Sequence, residues 1–269
     1  MKRKPCVAGY FYPQNSDALR EMIEEMVDPR AEKEKAISVI SPHAGYAYSG
    51  KVAGSVFSSV MLPESFVILG PNHQEVSTSI SIMKHGVWET PLGDVSINTV
   101  LADLIMKRSD ALQENAKSHS QEHSLEVQVP FIQHLKGGHV NIVPICISYF
   151  AAYEDLEEMG KAVAEAIRVY GRDVLIVAST DMSHYVSQEM AKEKDFLAID
   201  KILELDARGL YDVVKRENIS MCGFQPTTAA IIASKELKAK KAELIKYQTS
   251  GDVSGDFFKV VGYAGIRII

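Results

Sequence analysis

The feature that most constrains this chain is the alternation of short apolar runs with segments of helical periodicity. Apolar runs of strand length lie at residues 36–40, 66–69, 140–147 and 174–178, too short and too rich in Val and Ile to read as helices. Between them, Asn15 or Ser16 can cap a helix carrying Leu19, Met22, Ile23 and Met26. Small residues over 50–61 read as a second helix, Asn98 opens a third to about 107, and 153–169 is amphipathic. Helices fill much of 188–217, and Pro226 suits the first turn of another running to about 237. Residues 122–135 read as a helix kinked at Pro130. Short strands at 79–83 and 95–97 flank a turn at 91–94, and 244–249 and 257–269 read as strands around the turn-like stretch 251–255. Strands alternating with helices specify an α/β fold. Its central sheet is mostly parallel or mixed, antiparallel at the tail, with helices on both faces.

The 269 residues contain no internal repeat and no linker-like stretch, so one domain over 1–269 is expected. With 46% apolar and 24% charged positions, a disordered or coiled-coil chain is excluded. A net charge of −6 gives no general attraction to nucleic acid or to anionic membranes, and neither is expected as a partner. Three widely spaced cysteines make no disulfide framework and point to a reducing, cytoplasmic setting. The start, Met1-Lys2-Arg3-Lys4-Pro5, is basic, but no apolar stretch follows as in a signal peptide.

In α/β sheets ligands bind beyond the carboxyl ends of the strands. Three such ends carry a histidine within a few residues: His43 in Ser41-Pro42-His43-Ala44-Gly45, His73 in Gly70-Pro71-Asn72-His73, and His184 in Asp181-Met182-Ser183-His184. One such histidine is an ordinary loop residue or helix cap; three on neighbouring strand ends point to a shared site. Neutral imidazole binds transition metals, so His43 and His73 can supply two ligands. Cys222 precedes a helix amino terminus whose dipole favours the thiolate, whereas Cys146, inside a strand, reads as an inert thiol. Asp181 and His184 read as a base oriented by a carboxylate, or as a cap on the following segment.

Three further patterns carry less. Gly45 to Gly50 with Lys51 has phosphate-loop spacing, but Val52 stands where a magnesium-binding hydroxyl is needed. His119-Ser120-Gln121-Glu122-His123 fits the H-x-x-E-H pattern of a zinc hydrolase but lacks an identifiable distal ligand. Ser183, His184 and Asp181 are sequence neighbours, which rarely form a triad, and no G-x-S-x-G is present.

Pro42-His43-Ala44-Gly45-Tyr46, Gly70-Pro71-Asn72-His73, Glu122-His123-Ser124-Leu125-Glu126-Val127, Asp181-Met182-Ser183-His184 and Met221-Cys222-Gly223, in this order, resemble the Memo family. Ala8-Gly9-Tyr10-Phe11-Tyr12 and Gly262-Tyr263-Ala264-Gly265 extend the resemblance through nearly the whole chain. It implies a fold like that of class III extradiol dioxygenases, which are non-haem iron enzymes. It also implies a metal held by His43, His73 and Cys222, with Asp181 and His184 in the pocket and His184 as acid/base. His123 and Glu126 are expected to line the pocket or to support the ligands. Iron(II) is the expected ion, and the thiolate admits copper or zinc. The function implied is a dioxygenase-like redox enzyme acting on a small molecule. The alternative is a binding module holding a peptide or a protein partner in the same pocket.

Overall fold

Strands covered on both faces must be apolar along their length, and those that pack one residue up and the next down divide the core into two layers. The computed structural model describes residues 1–74 and 78–269. In chain order its strands are β1 (Lys2–Arg3), β2 (Ser38–Ser41), β3 (Ser65–Pro71), β4 (Ile80–Ile82), β5 (Val87–Thr90) and β6 (Gly93–Ile97). Then come β7 (Leu112–Glu114), β8 (Asn141–Ile147), β9 (Val174–Ser179), β10 (His184–Val186), β11 (Ala242–Thr249) and β12 (Val260–Ile268). The helices are α1 (Ser16–Glu24), α2 (Tyr46–Ser58), α3 (Thr99–Met106), α4 (Gln128–Lys136) and α5 (Tyr153–Tyr170). They are followed by α6 (Gln188–Leu203), α7 (Ala207–Arg216), α8 (Phe224–Glu236) and the short α9 (Gly251–Ser254).

The spine of the sheet is β6-β8-β3-β9-β2, all parallel. β12 joins β2 antiparallel and also takes β11 and β10 as antiparallel partners. β8 serves two strands on one side, β6 at Asn141 and Ile142 and β4 at Ile145 to Ile147. The expected mixed sheet, antiparallel at the tail, is therefore present. Val67, Leu69, Ile176 and Ala178 pack against α3, α5, α6, α7 and α8, while Phe66, Ile68, Leu175 and Val177 pack against α1, α2 and α4. Ser41 lies opposite Ser179 and Leu69 opposite Ala178, so β2, β9 and β3 end level with one another.

The short strands β1, β5, β7 and β10 have no counterpart in the sequence reading, the stretch read as a turn at 251–255 forms α9, and α4 starts later than expected. Residues 122–127 form a turn, and α4 begins only at Gln128, with Val127 at its cap. Pro130 is then the third helical residue, where a missing N–H is not needed, so it starts the helix and kinks nothing. No helix among the described residues is long and apolar enough to cross a membrane.

Candidate metal centre

The level ends of β2, β3 and β9 deliver His43, His73 and Asp181 to one edge of the sheet. Cys222 arrives from the α7–α8 loop because Gly223 lets the two backbones touch. A Cβ at Gly223 would stand 2.3 Å from the Ser179 carbonyl oxygen and 2.5 Å from the Thr180 Cβ. The Gly223 N–H donates to Thr180 Oγ1 at 2.9 Å, and the Asp181 N–H points at Cys222 Sγ, 3.3 Å away.

The hydrogen bonds assign the tautomers of both imidazoles. Ser179 Oγ donates to the Ser124 carbonyl at 2.6 Å, so it must accept from His43 Nδ1 at 2.9 Å. The lone pair of His43 is thereby on Nε2, which lies 3.2 Å from Cys222 Sγ. Glu122 accepts twice from His73, from the main-chain N–H at 2.6 Å and from Nδ1 at 2.9 Å, so Nε2 is the atom of that ring left for an ion. Burial opposes the charged ring, but Glu122 outweighs it and raises the His73 pKa, so an ion there displaces a proton. Ligand atoms of His43, His73 and Cys222 all lie within 4.8 Å of one another, close to what one ion with bonds of about 2.0–2.3 Å bridges.

Electrostatics favour a cation at this point. Burial, then the neighbouring histidines, hold His43 well below its ordinary pKa and therefore neutral, as a ligand must be. Burial and the nearby Asp181 push the Cys222 thiol far up, against the Asp181 N–H and the Thr180 side chain that favour the thiolate. Burial also raises Asp181 to about 6, against the His43 N–H that its Oδ1 accepts at 2.8 Å. A divalent ion reverses this logic by stabilising the thiolate and the carboxylate together. The residues present fit such an ion.

His123 forms a wall. Its ring stacks on His73 at 4.7 Å and meets His43 edge-on at 5.6 Å. His184 sits at an irregularity in β10, where Tyr185 takes a φ of 59° and the pairing slips between His184 and Val186. Its Nδ1 donates to the Ser220 carbonyl at 2.8 Å, so its tautomer is set by Ser220, not by Asp181 as the sequence led us to expect. Glu126 likewise is not a pocket residue: its carboxylate takes Arg3, the Cys6 and Val7 N–H groups and the Tyr12 hydroxyl. The carboxylate that supports a candidate ligand is Glu122, four residues earlier. Burial opposes its ionisation, but the His73 hydrogen bond and charge outweigh burial and hold it at about 2. Both acids stand in the same short motif, and on a helix they would share a face; only the turn at 122–127 separates their roles.

His73, Glu122 and His123 also offer donor atoms within 4.8 Å of one another. Glu122, however, already accepts from three N–H donors, the third being Ser124 at 2.8 Å, and so acts as a buttress. His119 points away from this group. It is fully buried, with Nδ1 3.0 Å from the Asn115 carbonyl and Nε2 3.2 Å from that of Pro144. We expect His119→Ala to leave metal content unchanged while costing roughly 2–4 kcal/mol of stability through the cavity and the lost hydrogen bond. Loss of metal in a folded His119→Ala protein would restore the hydrolase reading. The phosphate-loop pattern is occupied by Tyr46, whose buried ring packs on Phe131 and whose hydroxyl donates to the Val127 carbonyl at 2.7 Å.

A family model described as "Memo-like protein" matches residues 3–267. A MEMO1 family protein of Pyrobaculum arsenaticum is 44% identical, over 98% of this chain and 98% of its own. One from Methanococcus maripaludis is 43% identical over the whole of both chains, and one from Methanopyrus kandleri 39% identical over 99% and 98%. Among solved structures, an uncharacterised protein from Escherichia coli K12 shares the fold with a TM-score of 0.58. That likeness is at 10% identity and covers 86% of this chain and 99% of the other. This chain belongs to the Memo family.

Proposed function

We propose that the chain is a metal-dependent redox enzyme whose mononuclear centre is held by His43, His73 and Cys222 and whose substrate is a small molecule. The observation that carries the reading is the paired commitment of the imidazoles: Ser179 and Glu122 each occupy an Nδ1, and His43, His73 and Cys222 still offer ligand atoms within 4.8 Å of one another. Three protein ligands leave coordination positions open, the arrangement of a catalytic rather than a structural site. Iron(II) is the ion proposed, and copper and zinc are the alternatives that elemental analysis of anaerobically purified protein separates. When bound, the ion supplies a redox-active Lewis acid. The chain's own part is positioning and proton handling. Asp181 holds the main chain of His43, and the His123 ring shields one side of the ligands. His184, with Nδ1–H committed to Ser220, presents Nε2 as the atom that takes or returns a proton.

His184→Gln should keep full metal occupancy and abolish any redox turnover found in a substrate screen. Loss of metal would make His184 a ligand; full activity would reduce it to a structural residue. The second reading, a binding module, draws on the exposed aromatic side chains of Tyr10, Tyr149, Phe150 and Tyr185, three of which directly follow strand β8 or lie beside His184. Such a module would bind its peptide equally well with and without metal, whereas the enzyme would be inactive without it.

A further inference from the structure

We infer that Arg3 is a positioning residue for the metal centre, acting on His73 through Glu122. The inference rests on the metal reading above and concerns a residue that makes no contact with the proposed ligands.

A long cationic side chain is ordinarily solvated. Here β1 pairs with β5, aligning Arg3 with Trp88, and the Arg3 side chain is only 3% exposed. Its guanidinium lies over the Trp88 ring at 4.2 Å. Nε donates to the His119 carbonyl at 2.8 Å, Nη2 to the Glu122 carbonyl at 2.7 Å, and Nη1 pairs with the Glu126 carboxylate. These three bonds grip the 119–126 segment at its start, middle and end. That segment carries Glu122, whose side chain sets both the main chain and the Nδ1 of His73. Ionic attraction alone does not explain the arrangement, because a buried pair is seldom more stabilising than apolar packing. What the planar fork provides is direction: two carbonyls and a carboxylate held in fixed relation, which the single ammonium of a lysine cannot reproduce.

The test is the affinity of the full-length protein for Co(II), measured by chelator competition, together with the visible absorption of the Co(II) form. Arg3→Lys keeps the charge facing Glu126 and should weaken Co(II) binding by about 10–100-fold, the usual effect of removing support from a ligand. The cobalt bands should shift with it. Ile105→Val, a packing loss on α3 across the sheet, should move neither. Because Arg3 acts through Glu122, adding Arg3→Lys to Glu122→Gln should weaken binding by less than about 3-fold further. Unchanged affinity in Arg3→Lys, or fully additive losses in the double variant, overturns the inference while leaving the metal centre standing. A wild-type protein that binds no Co(II) overturns the metal reading and this inference with it.

Discussion

Cys222→Ser is expected to weaken metal binding by more than 100-fold while leaving the fold intact. Four-ligand structural zinc sites carry about 10–16 kcal/mol, so each ligand accounts for roughly 3 kcal/mol, a factor beyond 100 in affinity. Serine is a poor substitute because its hydroxyl does not ionise at neutral pH and is a harder donor than a thiolate. The fold should tolerate the change, since the partners of Sγ, His43 Nε2, the Asp181 main chain and the Thr180 side chain, can all be met by a hydroxyl. His43→Ala should have a comparable effect. Metal content by elemental analysis, read beside circular dichroism, decides the matter. Wild-type occupancy in both folded variants would place the metal elsewhere.

Glu126→Ala is expected to cost about 3–5 kcal/mol of stability, the effect of leaving one half of a buried ion pair uncompensated. The loss falls on more than Arg3, because the Cys6 and Val7 N–H groups and the Tyr12 hydroxyl all donate to this carboxylate. Burial on its own would raise the pKa of Glu126, but Arg3, then the Cys6 and Tyr12 donors, outweigh it and hold the group below its ordinary value. A carboxylate depressed in the folded state contributes stability that is complete above its unfolded pKa of about 4.3 and is lost as pH falls through the folded value. Denaturant titrations at a series of pH values should therefore show the gap between wild type and Glu126→Ala constant above about pH 5 and closing as the medium is acidified. A gap that is small at neutral pH, or one that widens in acid, would show that Glu126 is not held as an ion.

What could be read from the sequence follows from which interactions are local. His43, His73 and Asp181 were visible as site residues because each lies just beyond an apolar run, and parallel strands bring such ends together whatever their separation in the chain. Cys222 needed its position before α8. The long-range partners had no local signature. Arg3 sits in a basic run with no local sign of burial, and its burial depends on Trp88 and on two carbonyls, each more than a hundred residues away in the chain. Periodicity could not choose between Glu122 and Glu126, and a helical reading of 122–135 gave them one face. Ser220 fixes the His184 ring with a main-chain carbonyl, which no side-chain pattern can announce.

The position of β12 has a consequence for biosynthesis. That strand lies between β2 and β11 and pairs through Ile266, Arg267 and Ile268 with the strand that leads into His43. A ribosome therefore releases His43 and His73 long before Cys222, and Cys222 before the strand that seals the sheet beside them. Such late closure belongs to slow-folding, high-contact-order topologies. A nascent chain arrested before residue 260 would have made every proposed ligand and still lack the strand that braces β2. An ion at the proposed site would therefore be expected to bind once β12 has joined β2, which makes delivery to the folded sheet, rather than capture by the emerging chain, the step on which loading would depend.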